Sequence, residues 1–235
     1  MFWAILYKDL RLLRIYLRMS ALTSILIYPV FFGFIYWFSE NHLGIDEAKQ
    51  FAFQLRLTLL SSGGTGLALT FLFASIIAAS SIALERSDRS AEFLACLPPT
   101  RWQNLLSKLI LVISAVGGML ALHNIATFGA WSMTAYAHTP LKVDLMASLL
   151  MSCVTVCMTG FSFAGSSLMK SNGGPALLGF FSPLLSTFIV LGIGKLLDIP
   201  SEGNAFAIRY SITCVALGIT MFLCGSLWYL NRSEP

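Results

Sequence analysis

Charge is what this chain has least of. Only 11% of its 235 residues are Asp, Glu, Lys or Arg, and 57% are hydrophobic. Soluble domains carry roughly 25% charged and 45–50% apolar residues, so a water-facing surface cannot be assembled from this supply. A nucleotide-binding loop of the form Gly-x-x-x-x-Gly-Lys-Ser/Thr is also missing. The nearest run, Gly192-Ile193-Gly194-Lys195-Leu196, has Ile189 where the first Gly belongs and Leu196 where a magnesium-binding hydroxyl belongs. The chain therefore brings no energy source of its own and reads as no enzyme by itself.

Other absences narrow the chemistry further. Acids at mid-depth, which a proton-driven carrier needs, are wanting: Asp144 and Asp198 sit at the edges of apolar runs. The three histidines, His42, His123 and His138, are dispersed, and His123 beside Asn124 reads as a pair satisfied by neighbouring helices. Gly160-Phe161-Ser162-Phe163-Ala164 imitates a serine elbow but lacks its last Gly and a partner base. Of the five cysteines, only Cys96 falls outside the apolar runs, so no structural disulfide is expected. Met146, Met151, Cys153, Cys157 and Met158 are soft donors that could suit copper(I), but they read as ordinary packing residues, and no metal site is assigned.

What the chain does have is long apolar runs near the ~20 residues needed to cross a ~30 Å hydrocarbon core. Period-2 alternation is absent from them, which excludes a barrel. The fold class is all-α: one polytopic membrane domain over residues 1–235, with six transmembrane helices after an amphipathic interfacial helix. The spans are predicted at about 21–38, 67–84, 105–135, 145–169, 176–197 and 206–230. Pro29 is expected to kink the first and Pro183 to interrupt the fifth. Residues 39–56 read as a polar stretch, and Gly63, Gly64 and Gly66 then mark a break or a close backbone contact before the second span.

Residues 1–19 form the interfacial helix. Lys8, Arg11, Arg14 and Arg18 share about a third of its circumference, placing cations at lipid headgroups, with Leu6, Leu13 and Leu17 opposite. The overlong apolar run that follows, without a small-residue cleavage site, argues for a retained anchor over a cleaved signal. Lys and Arg concentrate in this helix, at residues 85–108, at Lys170 and at Arg232, so both termini are expected in the cytoplasm of a multi-pass protein of the cytoplasmic (inner) membrane. Tyr7, Trp37, Trp102, Trp131, Tyr136 and Trp228 fall near the expected interfaces, as amphipathic rings prefer.

The charge that exists is gathered at one internal corner. Glu85, Arg86, Asp88, Arg89, Glu92 and Arg101 lie within 17 residues between two spans. Residues 87–97 can form a short amphipathic helix, with Phe93, Leu94 and Leu97 as its apolar edge. Pro98-Pro99 then stops it, and Thr100 is placed to cap the next helix. Read physically, this is either a docking surface for a partner in water or a solvated loop that orients the protein.

The run Glu85-Arg-Ser-Asp-Arg-Ser-Ala-Glu-Phe-Leu-Ala-Cys-Leu-Pro98, followed by Arg101 and Lys108, resembles the membrane subunits of ABC-2 type transporters. Their pattern here is Glu, several charged residues, Gly-Thr, Glu, two apolar positions, Leu-Pro, a basic residue and Gly-Lys. In this chain Ser90-Ala91 stands at the Gly-Thr positions and Ser107 precedes Lys108. The resemblance implies a permease that pairs with a second permease, as homo- or heterodimer, and with two cytoplasmic ATPase subunits. ATP and magnesium would sit on those partners, with no cofactor and no nucleic acid bound by this chain. It implies that residues 85–99 are the coupling turn, with Glu85, Arg86, Asp88, Arg89, Glu92, Phe93, Leu94 and Leu97 docking the ATPase and Arg11 and Arg14 assisting. It also implies export as the direction. Reversing Glu85 and Glu92 to Lys is then expected to disconnect ATP use from transport. The alternatives are a haem-exporter-like permease subunit, with His42 or His138 as outer haem ligand, and a membrane assembly or sensor subunit that moves nothing.

Overall fold

Apolar runs in hydrocarbon find no water for their backbone N–H and C=O groups, so each must close its hydrogen bonds within a helix. The computed structural model describes residues 2–42, 47–87, 100–133, 142–169, 171, 173–196 and 203–231. Seven helices result: α1 (Phe2–Leu12), α2 (Arg14–His42), α3 (Glu47–Ser87), α4 (Arg101–Ser132), α5 (Lys142–Leu168), α6 (Gly173–Leu196) and α7 (Gly203–Asn231), with no strand among the described residues. Six of them, α2 to α7, contain segments long and apolar enough to span a bilayer. The protein is an all-α polytopic membrane protein.

α3 is the axis of the bundle. Of its most apolar window, 61% is buried within the protein, against 11% for α2 and 17% for α7. α4 and α5 pack along α3, α7 packs along α5, and α2 rests chiefly on α3. One core joins Ala74, Ile77, Ala78 and Ile82 of α3 to Leu105, Val112, Val116 and Met119 of α4, closed by Phe163 of α5. A second joins Val154, Cys157, Met158 and Phe161 of α5 to Cys214 of α7. The Phe163 and Phe222 rings stack with centroids 4.7 Å apart.

Between α5 and α7 the backbones nearly touch. A methyl group on Gly218 would lie 2.6 Å from the Val156 carbonyl oxygen, and one on Gly225 would lie 2.7 Å from the Ala164 Cα. Lipid tails are as apolar as Leu, so there is no hydrophobic drive between helices; close backbone packing of small residues takes its place.

Three boundaries differ from the sequence reading. The expected interfacial helix over 1–19 bends at Leu13, and Arg14 and Arg18 belong to the first turns of α2. Backbone bonds from Leu13 N–H to Asp9 O and from Leu17 N–H to Leu13 O, both 3.0 Å, cross the junction, so the chain bends without a break. Secondly, α3 runs 41 residues, about 60 Å of helix, starting at Glu47 inside the expected polar stretch and continuing through Arg56, Gly63, Gly64 and Gly66 without a break. That is twice the hydrocarbon thickness, so its first turns project beyond the span. Thirdly, α6 does not break at Pro183. Proline has no N–H for the Gly179 carbonyl, and the Ser182 hydroxyl donates to that oxygen instead, at 2.7 Å.

Candidate functional site

α1 turns one stripe inward: Ile5, Asp9 and Leu13, spaced four residues apart, are all buried. An acid at the centre of that stripe needs partners, because a lone buried carboxylate is prohibitively costly. α4 supplies them. Lys108, with a side chain only 1% exposed, places its Nζ 3.2 Å from Asp9 Oδ1, and Ser107 donates its hydroxyl to Asp9 Oδ2.

Lys108 is shared. Its Nζ also lies 2.8 Å from Oε2 of Glu85, at the end of α3, whose side chain is 5% exposed. Lys8 completes the group: its ammonium pairs with Glu85 Oε1 and stands 3.6 Å from Asp9 Oδ1. Among the described residues, two cations and two anions thus make a quartet joining α1, the end of α3 and the first turns of α4. α4 is anchored at the same end by Arg101, whose guanidinium donates to the Leu230 carbonyl of α7 at 3.3 Å. Thr100 occupies the N-cap position of α4, but its hydroxyl makes no capping bond; its carbonyl accepts from Gln103 N–H at 2.9 Å instead.

Chemically the quartet can bind helices together. Its position matters more. α3 leads into residues 88–99 and α4 leads out of them, so the quartet clamps both ends of the charged corner to α1.

The sequence-predicted residues divide accordingly. Glu85 is 4% exposed and faces the quartet, so it is not displayed to water as the docking reading expects. Lys8 turns inward to it, away from the cationic face expected of the interfacial helix, while Arg11, Arg14 and Arg18 remain exposed. Asp88, Arg89, Glu92, Phe93, Leu94 and Leu97 lie outside the described residues, as does the side chain of Arg86. Asp9 went unnoticed in the sequence. The signal that could have found it is its place midway between Ile5 and Leu13 on one helical face.

A second polar contact lies deeper in the bundle. The Tyr28 hydroxyl of α2 meets His123 Nδ1 of α4 at 2.9 Å, with the two rings stacked at 5.9 Å. His123 is fully buried against Gly66, where any side chain would overlap the imidazole, and its Nε2 has no partner among the described residues. Asn124 points elsewhere, donating to the Leu120 carbonyl at 2.8 Å and to Ser152 Oγ of α5 at 2.9 Å. His123 and Asn124 therefore stitch two different helix pairs and do not line one conduit. Among the described residues no cluster of three or more His, Cys, Asp or Glu is arranged to hold a metal.

No family model, curated protein or solved structure matches this chain.

Proposed function

We propose that the chain is the membrane-spanning permease subunit of an ATP-driven ABC-2 type exporter, working with a second permease and with separate ATPase subunits that dock on the cytoplasmic turn at residues 88–99. The observation that carries this reading is the quartet of Lys8, Asp9, Glu85 and Lys108. A solvated loop that merely orients the protein needs no buried ionic clamp at its two ends, and ionisable residues buried in membrane helices mark function by default. A turn pushed by a partner does need one. Held by the quartet, the end of α3, the start of α4 and all of α1 move together, and a displacement of the turn reaches the axis of the bundle. The scarcity of mid-depth charge and the absence of a nucleotide-binding loop agree with an energy supply on another chain.

Glu85 belongs to the clamp in this reading, and docking falls to the residues beyond it. The test is purification of the tagged full chain from its native membrane, compared with an Asp88→Lys/Glu92→Lys variant that leaves the quartet intact. Recovery of a soluble ATPase with the wild type and its loss with the variant is the expected result. An ATPase that stays bound to the variant overturns the docking site. No ATPase under gentle lipid conditions overturns the permease reading and favours an assembly or sensor subunit.

A further inference from the structure

The outward side of the α1–α2 bend carries a feature that the quartet does not use. Where the helix axis turns at Leu13, Arg11, Arg14 and Arg18 line an open cleft of about 670 Å³ together with Tyr7, Leu10 and Leu17. The volume is that of a ligand pocket, typically 300–1,000 Å³. Arg14 and Arg18 are one turn apart on α2, and Arg11 precedes Arg14 by three residues, so the three guanidiniums share one face. None of them has an ion-pair partner among the described residues, of which the acids Asp9 and Glu85 are engaged in the quartet. Among the described residues, no carboxylate lines the cleft.

We infer that this cleft is a binding site for one anionic phospholipid, its phosphate held by Arg11, Arg14 and Arg18 and the start of its acyl chains laid along Leu10 and Leu17. Guanidinium is the group of choice for phosphate, offering two parallel N–H donors where an ammonium offers a point charge. The occupant is an amphiphile and not a free ion because the cleft is half apolar. It also opens on an element that continues directly into a membrane span, with Trp3 and Tyr7 exposed at 76% and 72% on the same helix. Exposed aromatic rings of this kind sit at headgroup level. The inference rests on the membrane character of the chain and is independent of what the bundle transports.

The test uses the purified full chain in zwitterionic nanodiscs doped with phosphatidylglycerol, with bound lipid identified by native mass spectrometry after release into detergent. Phosphatidylglycerol should be retained over phosphatidylcholine. Each of Arg11→Gln, Arg14→Gln and Arg18→Gln should weaken retention about fivefold, at ~1 kcal/mol per cation. Arg209→Gln, at the start of α7 and outside the cleft, should leave retention unchanged. Should a single Gln variant not fold, the others and a triple Arg→Lys variant, which keeps the charge but loses the paired donors, carry the same comparison. Equal retention of the two lipids, single variants that bind as the wild type does, or full displacement of the lipid by excess inorganic phosphate would each overturn the proposal, the last by showing an ion site without a lipid.

Discussion

Lys108 Nζ lies 2.8 Å from Glu85 Oε2 and 3.2 Å from Asp9 Oδ1, and its side chain is 1% exposed. One ammonium therefore serves two helices at once. Removing one member of a buried ionic group leaves an uncompensated charge and costs about 3–5 kcal/mol, whereas neutralising a pair together costs far less. Lys108→Met should lower stability by about that amount. Lys108→Met combined with Asp9→Asn should recover at least half of the loss, since the remaining Lys8 and Glu85 still pair. Unfolding midpoints in detergent, followed by tryptophan fluorescence, measure both. A double variant no better than the single one would mean that the quartet is not an electrostatic unit.

Lys8 differs in degree. Its side chain is 29% exposed, so water screens it and can replace its partner. Lys8→Ala should shift the same midpoint far less than Lys108→Met does, by roughly 1 kcal/mol or below. Equal effects of the two would contradict the burial order within the quartet.

The α5–α7 seam gives a prediction with a built-in control. Gly218→Ala drives a methyl group into the Val156 carbonyl, which backbone cannot easily yield, while Gly192 faces open space. Overpacking of this kind costs about 1–3 kcal/mol, and Gly192→Ala should stay within about 0.5 kcal/mol of the wild type. Thermal inactivation monitored by size-exclusion profile separates them; matching curves for the two variants would remove the seam from the account of stability.

Gly66 and Tyr28 act on the same ring. A side chain at Gly66 pushes the imidazole of His123 aside, and Tyr28→Phe removes its hydrogen-bond partner. Interhelical hydrogen bonds in membranes average about 0.6 kcal/mol and reach about 1.7. Because both changes break one bond, Gly66→Ala with Tyr28→Phe should cost less than the two single effects added together. Strict additivity in a double-mutant cycle would show that Gly66 does not position His123.

Thiol access offers a check on the packing as a whole. Cys157 and Cys214 are buried, whereas Cys224 is exposed on α7. In a Cys96→Ser background a lipid-soluble maleimide should modify Cys224 first and reach Cys157 and Cys214 only on unfolding. Early modification of Cys214 would place α7 in a different rotation.

The spans were legible where apolar residues run without interruption. α4, α5 and α7 fall within a few residues of their expected limits, because in hydrocarbon composition alone dictates helix. The front of α3 was not legible. Glu47, Lys49 and Arg56 read as a polar stretch ahead of the span, yet the helix runs through them. Of the two readings of the glycines, a break or a close backbone contact, the contact holds: Gly66 admits the imidazole of His123 and Gly63 the Thr127 hydroxyl of α4. The charged corner was legible as a concentration of charge, but the partition within it was not: Glu85 looks like its neighbours in sequence and differs only because Lys8 and Lys108, 77 and 23 positions away, converge on it. Asp9 was hidden by the cations around it.

The quartet also fixes an order of events in the birth of the protein. Asp9 leaves the ribosome 99 residues before Lys108 does. Until the start of the fourth helix has been made, the buried acid of the first has only the partly exposed ammonium of Lys8, 3.6 Å away, and lacks the buried one of Lys108. A nascent chain stalled before that point holds two acids, Asp9 and Glu85, against the single ammonium of Lys8. The start of the third crossing is thus the moment at which α1, α3 and α4 become one unit.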